Sequence, residues 1–375
     1  MIITRRFWPY AGTTEQGVAW LAQQLVDDGH QVEIVSIAWE KDWPAEFHYQ
    51  GASVARLPRP VSGPWGSHRY LKGLGRKLQQ GPEGVVVFGL GPELHLLARQ
   101  GEAAIPFLVY LDESQERLSP KDLQALASAQ SIITMSNGSR ERLLSQVDLP
   151  PERVQVAPFP IAVENEPDSR LSREVVRVIL SEAHPMLRIE PNQPLVVAAA
   201  PLLEDAGWDV LLACWQRVVQ ARPDARLWIP GHDLEARLIW DRVIDLGLMH
   251  QVIMPGQFDC LDELLAAADL VVGPMHAPRH CPGLLRAAEL GICPVVAPAM
   301  LDWLPLEDQV SGVVLPPQEP PTWAALLLAL LADEPARQRM GLAASAVVAT
   351  IDAPAADRYV VQPLRDARQR PATSP

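Results

Sequence analysis

Short apolar runs and longer stretches with apolar residues at helical spacing take turns from the first residue onward. Residues 1–4 read as a short buried strand. Residues 15–28 read as a helix, because Val18, Ala19, Leu21, Ala22, Leu25 and Val26 recur on one helical face and Gly29 ends the run. Residues 32–37, 84–88, 105–110 and 131–135 are further strand candidates, each following a helix-like or loop segment, so the first half is expected to hold a five-stranded sheet. This alternation predicts a parallel sheet with helices on both faces.

Between residues 163 and 193 the texture changes. Glu164, Asn165, Glu166, Pro167 and Asp168, and later Glu190, Pro191 and Asn192, are polar and proline-punctuated, with one helix-like piece at 172–181 between them. A domain linker is expected at 164–192. The alternation then restarts, with strands at 195–199, 226–229, 252–254, 270–273, 294–297 and 312–315 and helices at 208–221, 234–246, 261–268, 283–290 and 322–332. The expected organisation is an α/β domain over 1–163 and a second over 193–352. Two such domains in tandem place a cleft between them, with the C-terminal ends of both sheets facing it, and ligands are expected there.

Composition narrows the classes of function. A chain of 375 residues has room for two to three domains at about 150 residues each. With 48% hydrophobic and 21% charged residues, it is neither disordered nor collagen-like. Lys plus Arg number 32 against 45 Asp plus Glu, a net charge of −13 with no dense basic stretch, which argues against a nucleic-acid partner. Cys214, Cys260, Cys281 and Cys293 lie outside any CxxC spacing, so neither a disulfide framework nor a zinc ribbon is expected, and a reducing cytoplasm fits. The apolar run 324–332 is far short of the roughly 20 residues that span a bilayer, so no transmembrane segment is expected. Arg5 and Arg6 are followed by Pro9, Gly12, Glu15 and Gln16, where a twin-arginine export signal needs an apolar segment, and no targeting segment is read.

In the second half, three stretches carry a resemblance: Arg222 through Gly231; Leu246-Gly247-Leu248 with Val252 and Gly256; and Leu264 through Val272. Together they resemble the nucleotide-sugar domain of glycosyltransferase family 4. Val313-Val314-Leu315-Pro316-Pro317, the helix ending Leu331-Ala332-Asp333-Glu334-Pro335, and Arg339-Met340-Gly341 are similar to that family's closing segment. In the first half, Arg5 through Glu15 looks like the family's first glycine-rich turn, and Ser136 with Pro150-Pro151-Glu152-Arg153-Val154 like its later landmarks. The resemblance implies two Rossmann-like domains with parallel sheets facing a central cleft, the glycosyltransferase B fold. It also implies a C-terminal helix within the tail 353–375 that crosses back to the first domain. The implied activity moves a sugar from a nucleotide diphosphate sugar to a glycan or small-molecule acceptor with retention. No resident cofactor is implied.

Such chemistry needs the pyrophosphate charge neutralised as the glycosidic bond opens, by backbone N–H groups, helix N-termini and fixed cations. The family's Arg and Lys, in a Gly-Arg-x4-Lys-Gly pattern, fall here on Pro201 and Ala206. Its Glu-x7-Glu pair falls on Pro278 and Arg286, or one residue on, at Arg279 and Ala287, with Glu289 nearby. Its active-site histidine position reads Leu111-Asp112-Glu113. Gly12 is kept, Thr13 replaces a second glycine, and Glu15 survives.

Candidate site residues follow from these positions. On the donor side they are Pro201, Gly231, Arg279, His280, Gly283 and Arg286; on the acceptor side Gly12, Thr13, Thr14 and Glu15. The catalytic candidates are Asp112 and Glu113. Each has a plainer reading. The Gly12–Glu15 turn is an anion-binding or acceptor-binding helix N-terminus, or simply a helix cap. His276, Arg279, His280 and Arg286 are a site turned toward an anionic ligand, or a solvated loop with one helix-surface arginine. Asp112 and Glu113 are a proton acceptor, or a polar strand cap at the rim. Pro278 breaks any helical pairing of His276 and His280 beside Cys281, so no metal is expected. The turn Gly89-Leu90-Gly91-Pro92-Glu93 reads as a strand-to-helix connector. Trp8 and Trp65 stand in loop-like contexts where a sugar or apolar acceptor has a ring to stack on. The missing family residues leave a second function open: an inactive relative acting as a glycan-binding subunit or one that stabilises a protein partner.

Overall fold

The structure, a computed structural model, describes residues 1–10, 13–60, 67–100, 105–111, 118–157, 171–200, 202, 206–231, 236–256, 261–275, 281–317, 319–351 and 357–369. The chain divides into two compact units, Met1–Ala162 with Ala353–Pro375, and Val163–Asp352.

The first unit is built on an eight-stranded sheet. Its elements are β1 (Ile2–Ile3), α1 (Thr13–Asp27), β2 (Glu33–Ala38), β3 (Glu46–Tyr49), β4 (Ala52–Pro58), α2 (His68–Leu78), β5 (Val85–Phe88), α3 (Pro92–Ala98), β6 (Phe107–Leu111), α4 (Pro120–Ala127), β7 (Ser131–Thr134), α5 (Asn137–Gln146) and β8 (Val154–Val156). The spatial order is β3-β4-β2-β1-β5-β6-β7-β8, parallel throughout except for β3, which runs antiparallel to β4. The central strands are short and apolar because helices cover both their faces: Ile2, Val86 and Phe88 feed one core, and their neighbours Ile3, Val85 and Val87 feed the other. All five expected strands are present, but β3, β4 and β8 were not foreseen. The β3–β4 hairpin turns through Gln50 and Gly51, both at positive φ (45° and 84°), the geometry that matches strand twist.

The second unit holds α6 (Arg173–Ala183), β9 (Leu195–Ala198), α7 (Trp208–Ala221), β10 (Arg226–Pro230), α8 (Ala236–Asp245), β11 (Val252–Gly256), α9 (Asp262–Ala266), β12 (Leu270–Gly273), α10 (Pro282–Glu289), β13 (Pro294–Val296), β14 (Val313–Val314), α11 (Pro320–Ala332) and α12 (Glu334–Val348). Its six strands are all parallel, in the order β11-β10-β9-β12-β13-β14. Every strand expected here is present. The segment expected as a linker contributes α6 to this unit: Val176, Leu180, Leu187 and Ile189 enter its core, and the buried Arg177 donates to the carbonyls of Ala267, Pro191 and Gln193. After this unit the chain returns to the first one. A π-helical turn (Asp357–Val361) and α13 (Gln362–Gln369) lay Val360, Val361 and Leu364 against the core that holds Ile2 and Val86.

Candidate functional site

In each sheet, strand order reverses direction beside the first strand of the unit, and in open α/β sheets ligands bind at the carboxyl edge at such a point. In the second unit this point lies between β9 and β12, both of which pair in parallel. Ala199 follows β9 and donates its N–H to the Val272 carbonyl at 2.9 Å. The Cys281 thiol donates to the Ala199 carbonyl at 2.9 Å, and burial pushes that thiol up to about 12, so it remains a neutral hydrogen-bond donor. Gly283, in the first turn of α10, faces the Ala199 methyl so closely that a Cβ there would lie 3.1 Å from it.

Gly231, just past β10, has φ of +132°, a conformation reserved for glycine, and donates to the Gly256 carbonyl at 2.8 Å. The Leu202 side chain lies beside it, 3.3 Å from where a Cβ would stand. Gly207, left-handed at φ 82°, caps the start of α7. Gly231, Gly283, Ala199 and Leu202 therefore gather at the carboxyl edge of β9, β10 and β12. Pro201, Arg279 and His280 lie outside the described residues, as do Pro278 and His276. Among the described residues no group of three His, Cys, Asp or Glu side chains is placed to hold a metal ion.

Arg286 differs from the exposed cation expected of it. Its side chain is buried on α10, where Nε and Nη2 donate to the two carboxylate oxygens of Asp262 at 2.9 and 2.7 Å and Nη1 donates to Glu289 at 2.9 Å. The bidentate bond to Asp262 is the main force holding the guanidinium charged. With both ends committed to carboxylates of α9 and α10, Arg286 ties these helices together instead of facing an anion in the crevice. Glu289, flagged by its sequence position, is its second partner.

In the first unit, the carboxyl edge holds the start of α1. Thr13 opens that helix, Thr14 is half-buried, and Glu15 is buried in the first turn, where the helix dipole favours its charge. Gly12, Asp112 and Glu113 lie outside the described residues, as does Trp65. The turn after β5 contains a group that sequence reasoning passed over. Glu93, in the first turn of α3, is 1% exposed and neither carboxyl oxygen has a hydrogen-bond partner; its carboxyl occupies the space a side chain at Gly91 would need. The buried Tyr70 hydroxyl of α2 faces it without closing a bond of normal geometry. Burial raises the Glu93 proton affinity, outweighing its own backbone N–H and the charge of Arg5. The signal was the glycine-rich turn itself, Gly89 to Gly91, which leaves room for a carboxyl to fold back.

Comparison with known proteins agrees with this architecture. Residues 193–333 match the family described as Glycosyl transferases group 1, and residues 12–160 match the Glycosyl transferase 4-like domain. The D-inositol 3-phosphate glycosyltransferase of Segniliparus rotundus is 32% identical over 165 residues, which is 42% of this chain and 36% of that protein. The protein of the same name from Xylanimonas cellulosilytica is 29% identical over 267 residues, covering 68% of this chain and 60% of its own length. The match thus spans less than two thirds of either relative. Among solved structures, Anabaena HepE in complex with UDP and glucose superposes with a TM-score of 0.72 at 17% identity, over 98% of this chain and 97% of that one. With its two parallel-sheet α/β units and a family match in each half, the chain belongs to the family-4 glycosyltransferases of the glycosyltransferase B fold.

Proposed function

We propose that the chain transfers a sugar from a nucleotide diphosphate sugar to a glycan or small-molecule acceptor, with retention at the anomeric carbon. The observation that carries this reading is the reversal of strand order between β9 and β12 in an all-parallel sheet, with Gly231 and Gly283 at its carboxyl edge, in the half that matches the Glycosyl transferases group 1 family. This reading assigns the diphosphate to that edge and keeps Pro201, Arg279 and His280, which lie outside the described residues, as the remaining donor-side candidates. The acceptor lies against Gly12, Thr13, Thr14 and Glu15, and Asp112 or Glu113 takes the acceptor's proton. Arg286 has no part in holding phosphate in this scheme, since its donors are spent on Asp262 and Glu289. The relatives named for transfer to inositol 3-phosphate and the neighbour bound to UDP and glucose support the general class of donor and acceptor.

One observation favours a second reading, an inactive donor site on a retained fold. Where the family carries a lysine this chain has Ala206, 1% exposed, so a buried methyl stands in place of a cation. Thermal melting against UDP, GDP, ADP and TDP, with and without magnesium, separates the two. A nucleotide at about 100 times its dissociation constant adds roughly 2.7 kcal/mol. Transfer predicts stabilisation by one nucleotide, diminished in Arg279→Ala. Arg286→Ala instead lowers stability by about 3 kcal/mol, because it leaves Asp262 buried without its counter-charge. A chain that melts cooperatively and is moved by none of the nucleotides is the inactive subunit, with a glycan or protein as its partner.

A further inference from the structure

Donor binding leaves unused a second concentration of chemistry, in the first unit. Arginines and aromatic rings interleave around the carboxyl ends of β1, β2 and β4: Arg5, Arg6, Trp8 and Tyr10 follow β1, Trp39 and Trp43 follow β2, and Arg59 follows β4. Their contacts form two groups, which meet only where Arg5 and Arg6 are consecutive in the chain. The Arg6 guanidinium lies 4.7 Å over the Tyr10 ring, and Tyr10 meets Trp43 edge-on at 5.4 Å. Arg56 is held between Trp43 (4.9 Å) and Phe47 (4.4 Å), and Phe47 packs against Trp8 at 5.7 Å. Arg59 covers Trp39 at 4.7 Å, and the Trp39 indole donates to the Arg5 carbonyl at 2.8 Å.

Together they have an inner pin and an outer face. Arg56 is 6% exposed and donates to the carbonyls of Pro44 and Trp8, so it ties the loops after β1 and β2 to β4. Arg5, Arg6 and Arg59 are exposed, and Trp8 leaves 47% of its surface open. Among the described residues no carboxylate forms an ion pair with these three arginines, although Glu40 and Asp42 stand exposed on the loop between the tryptophans. In a chain of net charge −13, such a local excess of cations attracts anions selectively. An indole held open by neighbouring rings offers a flat apolar face, matched by the C–H face of a cyclic polyol. Guanidinium forks match phosphate and carboxylate oxygens.

We propose that this platform binds a saccharide or cyclic polyol carrying a phosphate or carboxylate, its ring stacked on Trp8 and its anion held by Arg5, Arg6 and Arg59. That this ligand is the acceptor rests on the transfer reaction proposed above; the binding itself does not. The test is calorimetric titration with glucose 6-phosphate, glucuronate, glucose and inorganic phosphate, together with vesicles of phosphatidylcholine with and without phosphatidylinositol. At least one of the two anionic sugars binds about tenfold or more tightly than glucose and inorganic phosphate, since stack and fork each contribute. Trp8→Ala and Arg6→Gln each weaken it about tenfold in chains that still melt cooperatively, and Arg6→Lys recovers part of the loss. Tighter binding to phosphatidylinositol vesicles than to the free sugars identifies a lipid headgroup as the source of this chemistry; the reverse identifies a soluble ligand. The inference is overturned if neither anionic sugar binds, or if binding ignores both Trp8→Ala and Arg6→Gln. Nucleotide melting on the unaltered chain keeps the two readings apart: absent sugar binding with a clear nucleotide response sinks this inference alone, and sugar binding with no nucleotide response sinks the donor site alone.

Discussion

Asp269 sits among three guanidinium groups. It accepts from Arg173 at 2.6 Å, Arg177 at 2.9 Å and Arg337 at 3.4 Å, and its second oxygen also accepts from the Leu195 backbone N–H at 2.8 Å. Three cations on one buried acid would repel one another without other partners. Arg177 and Arg337 spend further donors on main-chain carbonyls, and Arg173 reaches Glu334 at 3.1 Å. The acid thereby joins α6, β9, β12 and α12. Asp269→Asn keeps the shape and removes the charge, and it is expected to lower unfolding free energy by about 3 kcal/mol or more in urea titration. A loss below about 1 kcal/mol would show that the carbonyl bonds alone hold these elements. Glu93 predicts a pH effect. Its buried carboxyl keeps its proton above the ordinary glutamate value of 4.5, so above that value the folded chain binds more protons than the unfolded one. Stability due to this group therefore falls as pH rises from 4.5 through the folded value, and Glu93→Gln flattens that part of the stability curve. An unchanged slope would mean that the carboxyl ionises without cost where it sits.

Helix α12 meets the end of α10 through glycine. A Cβ on Gly341 would overlap the Gly291 carbonyl in the turn between α10 and β13, and the Ser345 hydroxyl donates to the Glu289 carbonyl at 3.2 Å one helical turn later. Close approach is the reason for glycine inside this helix. Gly341→Ala, which favours an isolated helix by about 1 kcal/mol, is expected instead to destabilise by about 1–3 kcal/mol, read as a lower melting temperature. The sign is the test, because a purely local effect raises it. Because Arg286 and Glu289 lie on the same short α10, the variant also shows whether the α9–α10 tie depends on α12. Sequence reading did not identify α12: half of its apolar residues are alanines, which carry little periodic contrast. It also missed the edge strand β3, where Glu46 and His48 alternate with Phe47 and Tyr49 across only four residues.

At the scale of the molecule, the last helix belongs to the first unit although it follows the second in sequence. Val360 and Val361 are buried in the first unit's core, and the Leu364 side chain fills the space beside Gly84. Truncation after residue 352 removes these side chains, each contributing on the order of 1.5–3 kcal/mol when fully buried. Calorimetry of the shortened chain is expected to show a transition that moves down for the first unit while that of the second stays in place. A uniform downward shift of both would mean that the units unfold as one.

Apart from β3, β4, β8 and α12, the alternation of strands and helices was legible from the chain alone, because a strand buried on both faces must be written as a continuous apolar run such as Val85-Val86-Val87-Phe88, and a covering helix must carry its apolar residues on one face. The family likeness was legible too, through glycines and prolines whose backbone demands are local. Tertiary structure decided which polar groups meet. Arg286 reads as an available cation until Asp262, 24 positions earlier, is seen to accept from it, and α6 reads as linker until Arg177 is seen bonded 92 positions away to Asp269. Glu93 and the rings around Arg56 were likewise invisible, because burial, ion pairing and stacking depend on distances between remote positions, whereas periodicity reports only which face of its own element a residue occupies.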